Sequence, residues 1–202
     1  RPSLRLANLG YLGHMWELYG MWTWIPLFLA HTFRSASTAP GDAERLAALW
    51  AFAAIGAGGV GSLLAGQLAD RWGRSRTTIV SMLTSGTCAA VIGLLADGGA
   101  GSSVVVAVAL LWGFAVVADS AQFSTAVTEL GAREYMGTLL TTQTCLGFLL
   151  TLVSIRFVPV AVELVGWRWA FASLAIGPVL GSWAMWRLGR HPEAARLAGG
   201  RG

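Results

Sequence analysis

The stretch "GQLADRWGRSR", Gly66–Arg76, places one aspartate and three arginines directly after a long apolar run. Gly73 lies between the charged residues and allows a tight turn with positive φ. Asp70, at the end of a predicted helix, can meet the positive N-terminal end of a neighbouring helix. The stretch therefore predicts a charged turn that joins two apolar helices.

The chain around this turn is unusually apolar. Its 202 residues are 55% hydrophobic and 12% charged, with a mean hydropathy of +0.61. Soluble domains carry about 25% charged residues. A chain of this composition has too little polar surface to cover itself in water, so we interpret it as a membrane protein.

Six apolar runs divide the chain, and each has about the 20 residues that a spanning helix needs. They lack the short alternating pattern of membrane β-strands. The predicted fold is therefore all-α: a polytopic membrane protein with six transmembrane helices. The predicted helices are Leu6–Phe33, Leu46–Ala69, Thr77–Ala96, Val104–Val127, Thr138–Pro159 and Trp169–Leu188.

The arginines between these runs predict the orientation. All fourteen basic residues are arginines, and the net charge is +4. With the N-terminus in the cytoplasm, ten arginines lie on the cytoplasmic side and four outside, which together make the fourteen. Cytoplasmic loops are the ones enriched in basic residues. We therefore expect both termini in the cytoplasm of a bacterial inner membrane. The arginines form no basic face, which excludes nucleic acid as a partner.

The Gly66–Arg76 stretch resembles the signature loop of the major facilitator superfamily, which joins the second and third helices of a six-helix half. Ser75 departs from the pattern, where a basic residue is common. The resemblance implies that residues 1–202 form one half, built from two inverted three-helix repeats, and that the loop closes the cytoplasmic side. The alternative is a plain positive-inside anchor. The matching residues are Gly66, Leu68, Asp70, Arg71, Gly73, Arg74 and Arg76.

Within that resemblance, two missing sequence features indicate that the chain is the C-terminal half. The fourth run lacks the arginine usual in N-terminal halves, and the fifth lacks the Gly-Pro signature of many drug exporters. The expected partner is then an N-terminal half that these residues do not include. The segment Asn8–Pro26 resembles bacterial permeases of the cyanate and nitrate type, which points to a small anion as solute. The second run has no mid-span arginine of the kind nitrate carriers use, which argues against nitrate.

Glu17 is the first candidate functional residue, since it lies near the predicted membrane midplane. A carboxylate there costs about 2.5–3.5 kcal/mol on insertion scales, and such residues usually face a cavity. His14 lies one turn away, Asp119 and Gln122 share a face of the fourth helix, and Gln143 lies on the fifth. The resemblance places the substrate cavity on these helices.

Burial penalises the charged form of a carboxylate, so Glu17 is a candidate to gain and lose a proton near neutral pH, with His14 as a relay. Those groups predict proton-coupled transport. Two alternatives stay open at this point. Glu17 either serves a structural network, hydrogen-bonded to His14 or Tyr19, or binds the substrate directly.

A stripe of small and hydroxyl residues on the fifth helix also has two interpretations. It either lines the cavity, or its hydroxyls bond back to carbonyls of their own helix while the small side chains allow close packing. The stripe consists of Thr141, Thr144, Gly147, Thr151 and Ser154.

These observations predict a secondary active transporter that moves a small solute by alternating access, coupled to protons. The alternative is a structural or sensory membrane module derived from a half-transporter. No nucleophile elbow, zinc-protease motif or nucleotide loop is present, so we expect no enzyme. Cys88 and Cys145 have no partners at ligand spacing, so we expect no metal and no cofactor.

Overall fold

The computed structural model describes residues 1–36 and 39–200, and the regular secondary structure of this part of the chain is helical. Short 3-10 segments lie at Arg133–Tyr135, Phe171–Ala175 and Pro192–Gly199. The α-helices are α1 (Pro2–Ser35), α2 (Pro40–Trp72), α3 (Arg74–Asp97), α4 (Ser102–Ala118), α5 (Ser120–Leu130), α6 (Met136–Ala170) and α7 (Ile176–Gly189).

The fourth apolar run, predicted as one helix, is interrupted at Asp119, which separates α4 from α5. The Gln122 N–H donates to the Asp119 carbonyl oxygen at 2.9 Å, so the α-helical ladder is replaced there by a tighter turn. The run contains neither proline nor glycine at this point. The Asp119 side chain, described below, is the feature that distinguishes the position.

The fifth helix continues beyond Pro159 and ends at Gly166, whose φ of 70° and ψ of 173° break the helical path inside α6. Proline is tolerated in membrane helices because neighbouring groups satisfy the freed backbone atoms. The sixth helix therefore begins ahead of the predicted Trp169. It comprises the end of α6, the Phe171–Ala175 turn and α7.

Four segments are long and apolar enough to cross a membrane: Gly41–Trp72, Arg74–Asp97, Ser102–Leu130 and Arg133–Gly189. The last of these contains both the fifth and the sixth helices. α1 is not among the four, and it is the helix that carries His14 and Glu17. The protein is thus an all-helical membrane protein of six helices, as the sequence predicts.

One end of the bundle gathers both described ends of the chain, and we call it the termini end. There Arg1 donates to the Leu130 carbonyl oxygen at 3.0 Å, and Arg74 bonds to Glu129. At the opposite end, Arg168 pairs with Asp97 at 2.9 Å. The polar contacts at the termini end join α1, α3, α5 and the segment after α7.

Two apolar clusters fill the interior. One surrounds Trp112 and Phe171 toward the opposite end, and the other surrounds Phe123 and Met185 toward the termini end. α1 and α7 pack closely between them, since a Cβ atom at Gly13 would collide with the backbone carbonyl of Gly177. This contact requires both residues to lack a side chain.

Candidate functional site

A layer of buried polar side chains separates the two apolar clusters. It consists of His14 and Glu17 on α1, Ser85 on α3 and Asp119 between α4 and α5, each at most 2% exposed. Along each of these elements, the residues toward the opposite end belong to the cluster around Trp112. The residues toward the termini end belong to the cluster around Phe123. We call these four residues the polar layer.

Both carboxylate oxygens of Glu17 accept hydrogen bonds from neutral donors. The Trp112 indole N–H donates to Oε1 at 2.8 Å, and the Ser85 hydroxyl donates to Oε2 at 2.8 Å. Trp112 is itself buried and packs edge-on against Phe171, with ring centroids 5.1 Å apart. Glu17 thus ties α1 to α3 and α4 inside the bundle, and its partners are neither His14 nor Tyr19.

His14 faces the other acid of the layer. Its Nδ1 atom lies 2.8 Å from Asp119 Oδ1, an ion-pair distance, although the contact lacks the geometry of a hydrogen bond. Within the described residues, His14 Nε2 has no hydrogen-bond partner. The ring packs between Tyr11 and Phe123, at centroid distances of 6.2 and 5.5 Å. A titratable pair therefore lies where the fourth helix is interrupted.

Gln122 lies apart from this pair and bonds to the Gly66–Arg76 stretch. Its Oε1 accepts from Arg74 at 3.0 Å, while Arg74 forms a two-point bond to Glu129, with both N–O distances 2.7 Å. Paired guanidinium–carboxylate bonds of this kind are strong and geometrically specific. The α5 helix thus carries Asp119 at one end and the acceptors of Arg74 along its length.

Gly73 forms the predicted turn, with φ of 97° between α2 and α3. Asp70, Arg71 and Arg76 are exposed and make no ion pair or side-chain hydrogen bond with any described residue. Gly66 is half-buried, and a side chain there would meet open space. Within the described residues, Arg74 is therefore the residue of the predicted gating loop whose side chain forms hydrogen bonds with another helix.

The segment after α7, Pro192–Gly199, docks on α5 and α1. The Ala198 N–H donates to Glu129 Oε2 at 3.1 Å, and Leu197 is fully buried in the cluster around Phe123. The Ser3 hydroxyl donates to the Glu193 carboxylate. That hydrogen bond, helped by nearby arginines, lowers the pKa of Glu193 below its ordinary value.

The fifth-helix candidates divide between the interior and the surface. Gln143 is buried, and its amide nitrogen has no partner among the described residues. Gly147 packs against Tyr11 of α1. The Thr151 and Ser154 hydroxyls donate to carbonyls of their own helix, at 2.7 and 3.3 Å, which confirms the back-bonding interpretation for these two residues.

Sequence reasoning missed three residues of this arrangement: Ser85, Trp112 and Glu129. α3 carries no charge in its interior, a composition that by itself favours a lipid-facing helix, yet one of its faces is buried and supplies Ser85. A buried tryptophan usually finds an acceptor for its N–H. That rule indicates that the Trp112 indole N–H needs a hydrogen-bond acceptor, but it does not say which residue provides the acceptor.

Residues 7–202 match the Major Facilitator Superfamily. The chain belongs to the major facilitator superfamily. Members of this superfamily are membrane transport proteins and not enzymes. The helices also superpose on a solved structure of the major facilitator proton:xylose symporter XylE bound to 6-bromo-6-deoxy-D-glucose, with a TM-score of 0.72 and 16% identity.

That superposition covers 92% of this chain and 44% of the symporter chain. The chain thus spans about half the length of the structure it resembles, and at this identity the likeness concerns the fold. No curated protein matches the sequence. Within the described residues, no group of three His, Cys, Asp or Glu side chains could hold a metal ion.

Proposed function

We propose that this chain is the C-terminal half of a secondary active transporter that moves a small solute by alternating access, with transport coupled to protons. Superfamily membership supports the general class. The observation that carries the coupling is the buried His14–Asp119 pair at the interruption of the fourth helix. Ionisable groups inside membrane proteins usually mark substrate or proton paths, and interrupted helices often accompany transporter sites.

The proton chemistry falls to His14 and Asp119 because each can change the charge of the other. The His14 imidazole and the Asp119 carboxylate lie 2.8 Å apart, close enough to hold a proton between them. Solute binding or a change of access that separates the two side chains would release that proton. Glu17, by contrast, is held by two neutral donors. Its predicted role as a proton carrier stays a prediction.

The partner in this proposal is an N-terminal half that packs on the exposed faces of α2 and α6. Phe52 and Leu63 of α2 are 76% and 73% exposed, and Leu149 and Leu152 of α6 are 60% and 63% exposed. Cys145 is exposed on α6, whereas Cys88 is buried. Since the matched symporter chain is about twice as long, a second half is the natural occupant of such a surface.

The partner can be tested through Cys145. In a Cys88→Ala background, a lipid-soluble maleimide should label Cys145 rapidly in residues 1–202 alone and slowly when the upstream half is co-expressed. Cys145→Ser is the control for labelling elsewhere. Equal labelling in both samples would favour the alternative, a structural or sensory module without a partner half.

We further propose that both termini are cytoplasmic, in a bacterial inner membrane, and that the Gly66–Arg76 stretch closes that side. The excess of arginine at the termini end supports the orientation. Asp70 has no partner among the described residues, so its proposed contact would be with the other half. Asp70→Asn should then shift cysteine accessibility toward the cytoplasmic side, whereas an anchoring role alone predicts no shift.

The solute is proposed to be a small anion, on the resemblance of Asn8–Pro26 to cyanate-type permeases. The full open reading frame, purified and screened by thermal shift against small organic and inorganic anions, should give at least one stabilising ligand. That ligand then enters proteoliposomes under an imposed pH gradient. Uptake that follows the membrane potential and ignores the pH gradient would refute proton coupling.

A further inference from the structure

A cleft of about 600 Å³ opens at the termini end, between the start of α1 and the end of α7. Its polar lining consists of basic groups: Arg5 from α1, Arg187 from α7, and Arg190 and His191 just beyond it. Among residues 1–36 and 39–200, none that lines the cleft carries a carboxylate. This surface belongs neither to the polar layer nor to the Arg74–Glu129 contact.

The three guanidinium groups of the cleft have no acidic partner within the described part of the chain. Arg5, Arg187 and Arg190 are exposed and form no ion pair with any described residue. The acid nearest in sequence, Glu193, accepts from Ser3 and lies 3.7 Å from Arg196. Three uncompensated positive charges in one concave surface are favourable for an anion and repel one another without it.

The same cleft has an aromatic and apolar wall. The Arg187 guanidinium lies 5.7 Å from the ring centre of Trp183, and that of Arg190 lies 4.0 Å from the ring centre of Trp186. Both indoles are about half exposed, and Leu9 continues the wall away from the chain ends. Half-exposed tryptophans are typical of the boundary between membrane and water.

We propose that this cleft binds an anionic phospholipid, with the headgroup phosphate held by Arg5, Arg187 and Arg190 and an acyl chain lying against Leu9 and Trp183. Basic pockets between transmembrane helices recognise such headgroups, and guanidinium groups suit phosphate because they donate two parallel hydrogen bonds. Three guanidinium groups favour a lipid with two phosphates, such as cardiolipin, over one with a single phosphate. The site requires only that the bundle lies in a bilayer. The lipid site can therefore fail its test while the transport proposal stands, and the transport proposal can fail while the lipid site stands.

The test compares paired arginine variants of the full open reading frame, purified in a neutral detergent. Arg187→Gln/Arg190→Gln removes two charges from the cleft. Arg45→Gln/Arg133→Gln removes two charges from exposed arginines outside it and is the matched control. Native mass spectrometry with added cardiolipin should show at least about tenfold weaker binding for the cleft variant, which corresponds to ~1.4 kcal/mol. The control variant should bind like the wild type.

Further arms identify the ligand and guard against misfolding. Phosphatidylcholine should bind weakly, and sn-glycerol 3-phosphate should not displace cardiolipin, because it lacks the acyl chains. Arg187→Lys/Arg190→Lys keeps the charges but loses the paired hydrogen bonds and the contacts with the indole rings, so its binding should lie between that of the wild type and that of the glutamine variant. Without added lipid, each arginine variant should have the same melting temperature as the wild type. Equal loss of cardiolipin binding in the control pair, or displacement by glycerol phosphate, would overturn the proposal.

Discussion

Glu17 and Asp119 are both buried in the polar layer, yet their surroundings differ in kind. Glu17 accepts from an indole and a hydroxyl, which keep their protons at any physiological pH. Asp119 instead faces the imidazole of His14, whose Nδ1 atom lies 2.8 Å from its Oδ1 atom. The comparison teaches that burial alone does not separate a structural carboxylate from one suited to proton transfer. The chemical type of the neighbouring groups differs as well, and the experiments below use that difference.

The largest expected effect comes from Glu17→Leu, which leaves the buried Trp112 N–H without an acceptor, while Ser85 keeps the Met82 carbonyl oxygen at 3.1 Å. An orphaned buried donor costs about 1–3 kcal/mol, so the variant should melt well below the wild type and lose uptake and exchange together. A Trp112→Phe change in the same chain removes one orphaned donor. The double variant should therefore lose less stability than the two single changes summed.

Glu17→Gln refines that result, because an amide can still accept from Trp112 and donate to Ser85. We expect near-normal melting and near-normal net uptake. If net uptake collapsed while exchange of labelled for unlabelled solute survived, Glu17 would be the proton carrier. The assignment of proton transfer to His14 and Asp119 would then be wrong.

Asp119→Asn is expected to act on coupling more than on folding. The variant keeps the shape of the side chain and removes the charge that faces His14. Net uptake driven by a pH gradient should fall at least about tenfold, ~1.4 kcal/mol of barrier, while solute exchange and melting temperature stay near normal. Proteoliposomes under an imposed gradient provide the measurement, and His14→Gln should reproduce the same division between uptake and exchange.

Arg74→Gln tests the link between α5 and the Gly66–Arg76 stretch. It breaks the two-point bond to Glu129, which lies partly in solvent. We therefore expect about 1 kcal/mol of destabilisation, less than for a buried pair. Arg76→Gln is the matched control, since Arg76 is exposed and forms no ion pair with a described residue. Equal effects of both changes on melting would mean that the Arg74–Glu129 contact contributes nothing of its own.

The smallest effect is expected at Glu193, a half-buried carboxylate outside the polar layer. Its pKa is lowered, mainly by the Ser3 hydrogen bond. Its contribution is therefore present above the ordinary carboxyl range and lost as the pH falls through the lowered pKa. In Ser3→Ala, a carboxyl ¹³C NMR titration should show the pKa of Glu193 rising toward its ordinary value. No movement would assign the shift to the nearby arginines.

The sequence predicted the helices and the Gly73 turn because each depends on local chemistry. Apolar runs of spanning length form helices in a bilayer, and only glycine adopts φ of 97° without strain. The interruption at Asp119 was not predictable in this way. The side chain at that position faces His14, which lies on another helix and is distant in the chain.

The partners of Glu17 were out of reach for the same reason. The expected partners, His14 and Tyr19, are neighbours along α1, whereas the actual donors come from α3 and α4. Gln122 shares a helix face with Asp119 but turns to Arg74 instead. A sequence pattern identifies which side chains need partners, while the packing of the helices decides which partners they find.

The docked segment Pro192–Gly199 has a practical consequence for protein engineering. Because Leu197 is buried and the Ala198 N–H bonds to Glu129, an affinity tag or fluorescent reporter joined close behind Gly200 would compete with this docking. A flexible spacer ahead of the tag should leave this docking intact. Deletion from Pro192 onward would remove the Ala198 N–H, one of the hydrogen-bond donors to Glu129. Without such a spacer, the stability measured in detergent on a reporter fusion would be that of a protein with a displaced segment and not that of the native protein.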